Sequence, residues 1–214
     1  MRCMAGSGRT EPAGSSQEPA PSLRGWLRAA AFHYGRVLGN GYRARREVAA
    51  ALAATATERV LDVGCGTGWF CLAVPGEYVG IDLDRDYLAF AQRRWRSSQR
   101  RFELTALERL DAGRGFERAM LINCLHHLSD GEASAVLGRL AQIVRLRLVV
   151  VDMDPEGSNW LQRALLRMDR GHFIRSLSQQ RALLARSFAI VAERCFRNTP
   201  RTAVQVLFVC EPRP

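Results

Sequence analysis

Lysine is missing from this chain: all 31 basic residues among its 214 are arginine. Without lysine there is no Walker-type phosphate loop, because that loop needs a lysine to reach the β- and γ-phosphates. So complete a replacement reads as coding bias as much as function. Long apolar runs are also missing. None approaches the roughly 18 residues that would mark a membrane-crossing helix. Residues 1–22 lack an apolar stretch and are rich in Gly, Pro, Ser and Ala. They are therefore expected to be a disordered tail rather than a secretory signal, leaving 23–214 as a single domain. Six cysteines are present, but none forms a C-x-x-C pair. A chain that is 47% hydrophobic can bury a core without disulfides, so the thiols are expected to be free and mostly buried, in a cytoplasmic setting. Only four histidines occur, scattered along the chain. They and Asp152-Met153-Asp154 are too sparse for a metal-ligand set, and no metal is expected.

The formal charge of +10 is concentrated at the ends: residues 1–50 carry +5, 51–100 carry 0, 101–150 carry +1 and 151–214 carry +4. No compact arginine cluster with interleaved aromatics accompanies it, which argues against a dedicated nucleic-acid binder. The hydrophobic period predicts amphipathic helices over 23–33 and 43–57. Short apolar strands are predicted at Arg59–Val63, Tyr78–Asp82, Phe102–Leu104, Ala119–Cys124 and Leu146–Asp152. Helices are predicted over 86–100, from the capping box at Ser129-Asp130-Gly131-Glu132 to about Val144, over 158–170 and over 178–187. Strands alternating with helices, each strand a near-continuous apolar run, imply a parallel sheet covered on both faces. The final pair, Phe188–Phe196 and Ala203–Cys210, has only six intervening residues. That is too short for a helical crossover, so these strands must pair antiparallel.

The strongest signal is Val60-Leu61-Asp62-Val63-Gly64-Cys65-Gly66-Thr67-Gly68, a strand running into three alternating glycines. A dinucleotide fingerprint would place its third glycine at 69, where this chain has Trp. The second strand ends in Gly80-Ile81-Asp82. Asp82 follows Gly64 by 18 residues, close to the ~20-residue spacing of acids that accept ribose hydroxyls in open α/β sheets. The alternative is a loop acid that caps the next helix, but Asp84 or Asp86 could do that equally well.

These two motifs, with Phe116-Glu117 and Asn123-Cys124-Leu125-His126-His127-Leu128-Ser129-Asp130, resemble the class I S-adenosylmethionine-dependent methyltransferases. The similarity is to the small-molecule branch that includes quinone methyltransferases, and it covers about residues 43–155. Two departures are Glu117, where Asp is usual, and Thr105-Ala106, where an acid commonly faces the adenine. The resemblance implies a Rossmann-like α/β sheet of seven strands, mostly parallel, with a terminal antiparallel hairpin and helices on both faces. It implies S-adenosylmethionine as cofactor, held by Asp62, Gly64, Cys65, Gly66, Thr67, Gly68, Asp82, Leu83 and Asn123, with backbone groups of Ala106 and Leu107 at the adenine.

Methyl transfer from a sulfonium needs mainly positioning and exclusion of water. A base is needed only for an acceptor that loses a proton. His126, His127 and His172 are the candidates, because imidazole titrates near neutral pH; packing beneath the cofactor or capping a turn would explain the first two as well. His33 and Tyr34 lie where a lid would form. Cys124 follows Asn rather than Pro, and Asn123-Cys124-Leu125-His126 lacks an Asn-Pro-Pro-aromatic pattern, so neither cytosine-C5 nor amino-adenine methylation fits. The expected acceptor is small or lipidic. It would be covered by the helices of 23–57 and by residues 153–187, whose arginines, Arg170 and Arg175 among them, suggest an anionic or lipid-associated molecule. A macromolecular acceptor, or a cofactor-binding protein without turnover, is the alternative.

Overall fold

The computed structural model describes residues 22–113, 115–155, 173–197 and 204–213. Seven strands form one sheet: β1 Arg59–Val63, β2 Glu77–Asp82, β3 Arg100–Leu104, β4 Phe116–Ile122, β5 Val144–Asp154, β6 Phe188–Arg197 and β7 Val204–Pro212. Their order is β3-β2-β1-β4-β5-β7-β6. The first five run parallel, and β7 inserts antiparallel between β5 and β6. This is the expected open sheet with its terminal hairpin.

Alternating residues of each strand feed two cores. Leu61, Val63 and Leu121 face α4, Asp130–Ile143, and α5, Leu177–Leu184. Val60, Tyr78 and Met120 face α2, Tyr42–Leu52, and α3, Arg85–Trp95. The central strands are buried on both sides, which explains why they read as continuous apolar runs. The capping box at Ser129 and Glu132 forms as expected and starts α4.

Several boundaries differ from the sequence expectation. Helix α1 runs Leu23–Arg36 and passes through a π-helical turn, Val37–Gly41, directly into α2. The two N-terminal helices are therefore joined without a loop. Helix α2 stops at Leu52 rather than near residue 57, because Ala53 turns left-handed and Glu58 accepts from the Thr55 amide. Helix α3 stops at Trp95, where Ser97 and Arg100 pair across a tight turn; serines favour such turns over helix. Strand β4 ends at Ile122, since Asn123 adopts φ 52°, a conformation asparagine tolerates better than most residues. Ser22 caps α1 by accepting from the Gly25 amide, so it belongs to the fold. The tail expected before it, and the helix expected over 158–170, lie outside the described residues.

The glycines after β1 do different work. Gly64, Gly66 and Gly68 all have positive φ, at 72°, 54° and 74°. At Gly68 a Cβ would lie 2.7 Å from Phe102, 2.9 Å from Trp95 and 3.0 Å from Ala91, whereas at Gly66 it would meet nothing within 4 Å. Both alanine variants share the left-handed backbone penalty, but only Gly68→Ala overpacks the contact of the turn with α3 and β3. We therefore expect Gly68→Ala to cost about 1–3 kcal/mol more than Gly66→Ala in chemical denaturation. Equal losses would mean that the turn does not pack as described.

Candidate active site

The turn after β1 is fastened to the end of β2. The amides of Gly64 and Cys65 donate to the Ile81 carbonyl at 2.9 and 3.0 Å. The Gly66 amide donates to Asp82 Oδ2 at 2.7 Å, and Asp82 Oδ1 accepts from the Asp84 amide at 2.7 Å. Burial pushes the Asp82 carboxyl above its ordinary range, while these backbone donors pull it back. A carboxylate offers about four lone-pair sites, so Asp82 keeps acceptor capacity beyond the two amides. Asp84 caps α3, accepting from the Asp86 and Tyr87 amides, so the capping role and the role at the turn fall on different residues.

A cavity of about 930 Å³ opens above this turn, along the carboxyl ends of β1, β2, β4 and β5. Its wall includes Gly64, Gly66, Asp82, Leu83, Ala106, Leu107, Asn123, His126 and His127. Other sequence-selected residues stand behind the turn. Asp62 is buried and accepts from the Tyr78 hydroxyl at 2.7 Å. Thr67 Oγ1 lies 3.0 Å from His33 Nδ1, and the Thr67 carbonyl accepts from Trp95 Nε1. Asp62, Cys65 and Thr67 line a small separate pocket with His33. His33 is thus part of the packing of α1, set among Trp69, Phe90 and Trp95, and it does not border the main cavity. His172 lies outside the described residues.

The roof comes from the N-terminal helices, through Phe32, Gly35, Gly41 and Ala44. Trp69, the residue that breaks the dinucleotide pattern, holds this roof: its Nε1 donates to the Gly41 carbonyl at 2.9 Å, and Arg45 stacks on its ring at 4.6 Å.

A buried histidine–carboxylate pair lies at the end of β4. His126 sits in a one-turn 3-10 helix, Leu125–His127, and is buried. Its Nδ1 is 2.6 Å from Asp152 Oδ1, and its amide donates to Asp152 Oδ2 at 3.1 Å. With Nδ1 on the carboxylate, Nε2 is the nitrogen left for the cavity. His127 is exposed, with its ring 4.1 Å from that of His126. Asp152 is held in turn by the Met153 amide.

Arg175 fixes this turn from the far side. Its guanidinium donates to the carbonyls of Leu125 and Leu128 and to Asp130, and the Phe173 amide donates to the His126 carbonyl. Arg175 is buried, at 7% exposure. The expectation that it attracts an anionic acceptor is therefore corrected: its charge is consumed by Asp130 and two carbonyls. Arg170 lies outside the described residues. Burial pushes the Cys124 thiol up to about 12, so it is not a nucleophile near neutral pH. Among the described cysteines, Cys65, Cys71 and Cys210 are buried and Cys195 is exposed.

Several cavity or corner residues do not stand out in the sequence. Asp152 reads there only as a sparse metal-ligand candidate, although strand register places the end of β5 beside that of β4, with Ile122 opposite Val151. Glu108 lines the cavity just past Thr105-Ala106, because the chain turns in a 3-10 helix, Leu107–Arg109. It places an acid in the cavity wall next to two positions that have none. Met153 and Gln205 complete the wall, and Gln205 Nε2 donates to Asn123 Oδ1 at 2.7 Å. No sequence spacing pointed to Gln205, which reaches the site only because β7 inserts beside β5.

The site thus combines an open sheet, a glycine turn, an acid after the second strand and a cavity over their ends. Residues 60–147 match the family model described as a methyltransferase domain. The chain is 32% identical to the O-methyltransferase cnsE of Penicillium expansum over 124 residues; the match covers 53% of this chain and 44% of that protein, less than half its length. The fold is shared with magnesium protoporphyrin IX methyltransferase from Synechocystis PCC 6803, solved with S-adenosylhomocysteine (TM-score 0.63, 20% identity, 81% of this chain and 84% of that one). It is shared also with geranyl diphosphate C-methyltransferase from Streptomyces coelicolor A3(2) (TM-score 0.65, 13% identity, 79% and 75%). A chain from the complex of the Haloferax volcanii Trm112 methyltransferase activator aligns over 90% of this chain and 98% of its own length (TM-score 0.74, 14% identity).

Asp82 yields the first test of this site. Asp82→Asn is expected to weaken S-adenosylhomocysteine binding by about 1.5–3 kcal/mol, the range for hydrogen bonds to a charged group. The carboxylate is the accepting form, and burial raises its pKa. Wild-type affinity is therefore expected to fall on acidification sooner than an exposed aspartate would allow, and the Asn variant to be flat over the same range. Calorimetry at several pH values reads both, and an unchanged affinity in Asp82→Asn would remove the residue from the site.

Proposed function

We propose that this protein is an S-adenosylmethionine-dependent methyltransferase acting on a hydroxyl or enol oxygen of a small or lipidic acceptor, with His126 as general base. The observation that carries the reading is the buried His126–Asp152 pair on the wall of the cavity that begins at the glycine turn.

The residues present fit the cofactor. The turn keeps side chains away from the cavity at Gly66, where a Cβ would stand in open space. Asp82 is a carboxylate with acceptor capacity for two ribose hydroxyls. Leu83, Ala106 and Leu107 offer an apolar slot for a flat base, with Glu108 beside it to accept from an amino group. At about 930 Å³ the cavity is at the upper end of ligand-site volumes, which leaves room for an acceptor beside the cofactor. When bound, S-adenosylmethionine supplies an electrophilic methyl group on its sulfonium.

This chain's own residues have three tasks. Asp152 is a positioning residue: it fixes the His126 tautomer with the proton on Nδ1 and stabilises the ring once it is charged. His126 Nε2 takes the acceptor's hydroxyl proton as the oxygen becomes bonded to carbon. The roof, with Phe32 and Trp69, and the floor, with Ile122 and Met153, exclude water and favour an apolar acceptor body.

The test is transfer of an isotopically labelled methyl group to a panel of apolar phenols, enols and hydroxylated lipids. With an accepted substrate, His126→Ala is expected to lower kcat about 10²–10⁴-fold, the usual contribution of a positioned base. Asp152→Asn is expected to lower kcat with S-adenosylhomocysteine affinity unchanged. Full turnover by His126→Ala would show that the acceptor needs no base from this residue.

A further inference from the structure

The N-terminal helices have a second face, which the cavity does not use. Helix α1 packs on α3 through Ala29, His33 and Phe90 and through the ion pairs of Arg28 with Asp84 and Asp86. On the opposite side Leu23, Leu27 and Tyr34 recur at spacings of four and seven, the stripe of one helix face, and Leu38 follows in the π-helical turn. All are exposed: Leu38 at 82%, Leu23 at 74%, Tyr34 at 58% and Leu27 at 54%, with Tyr42 just beyond at 59%. Large apolar side chains left exposed along one side of a helix mark an interaction site.

The charge around it says what it meets. No acidic residue occurs between Glu18 and Glu47. Arg24, Arg43 and Arg46 in this stretch are exposed. A basic amphipathic helix with an aromatic and leucine face is the form that lies in the plane of a membrane interface. A second copy of this chain, seated face to face on the stripe, would bring like charges together, which opposes association. No described helix is long and apolar enough to cross a bilayer, so the contact would be one of surface docking.

We propose that α1, the π-helical turn and the start of α2 dock this protein onto an anionic lipid surface, which thereby presents a lipidic acceptor to the active site. The link to the site is direct. Phe32, Gly35, Gly41 and Ala44 of the same helices roof the cavity, so docking sets the cavity roof against the layer where an apolar acceptor would partition. The substrate part of this inference rests on the proposed function, while the docking part does not.

Co-sedimentation of the full chain with vesicles tests the docking without any methyl transfer. Vesicles of phosphatidylcholine with phosphatidylserine are expected to bind the protein about tenfold or more tightly than phosphatidylcholine alone, less so as salt rises. The double variant Leu27→Glu, Leu38→Glu is expected to lose that binding while keeping its melting temperature and S-adenosylhomocysteine affinity. The triple variant Arg24→Gln, Arg43→Gln, Arg46→Gln is expected to lose the preference for phosphatidylserine. Wild-type protein that pellets with neither vesicle, or a double variant that pellets as well as wild type, overturns the proposal. So does concentration-dependent self-association that the double variant abolishes without vesicle binding, which would assign the stripe to a second copy. Because the readout is binding, a fully active His126→Ala would overturn the proposed catalytic role and leave this result intact.

Discussion

The hydrogen bond from the Gly66 amide to Asp82, at 2.7 Å, is the constraint around which the site is built. A strand that ends beneath a ligand must turn without placing side chains in the ligand's space. The positive φ at Gly64, Gly66 and Gly68 permits that turn, and each glycine adds conformational freedom to the unfolded chain. Asp82 offsets this by pinning the middle of the turn from the neighbouring strand. The same carboxylate is thereby held at the cavity wall. Behind the turn, Trp95 and Phe102 pack where Gly68 lacks a side chain, and Trp69 carries the roof through the Gly41 carbonyl. Floor, wall and roof of the cavity are therefore parts of one connected structure.

A chain with no lysine has only arginine with which to fix such a structure, and it uses the fork geometry of the guanidinium. Arg118 grips both oxygens of Glu58 and the last helical carbonyl of α2, at Leu52. Arg147 reaches the Ala51 carbonyl. Cations that satisfy carbonyls at a helix C-terminus also oppose the helix dipole favourably. Arg175 does the corresponding work at the His126 turn, with two carbonyls and Asp130. A lysine has no planar fork with which to meet several fixed acceptors at once. These forks, buried at Arg175 and partly buried at Arg118 and Arg147, are distinct from Arg24, Arg43 and Arg46 of the N-terminal helices, which are exposed.

This division explains what could be read from the sequence and what could not. The sheet was legible because a strand buried on both faces must be apolar along its length, and because six residues cannot carry a crossover between Phe196 and Ala203. The glycine turn and Asp82 were legible because backbone conformation demands glycine there and strand geometry sets the spacing. Helix ends were less legible: Ala53 stops α2 in a left-handed conformation that its composition does not announce. The partner of His126 was not legible as such, since Asp152 is 26 residues away and only strand register joins them. The role of Arg175 was not legible because charge counted along a segment does not reveal whether a guanidinium faces water or carbonyls. The exposed stripe on α1 reads in sequence as an ordinary amphipathic helix; only the packing of its other face on α3 shows that the apolar side is the one left outside.

The cavity over the glycine turn suits an adenosyl cofactor and not a dinucleotide. Parallel calorimetric titrations of the full chain with S-adenosylhomocysteine and with NAD test it most directly. The account requires saturable binding of S-adenosylhomocysteine, in the micromolar range or tighter, and no heat from NAD. Binding of NAD with none of S-adenosylhomocysteine would contradict it.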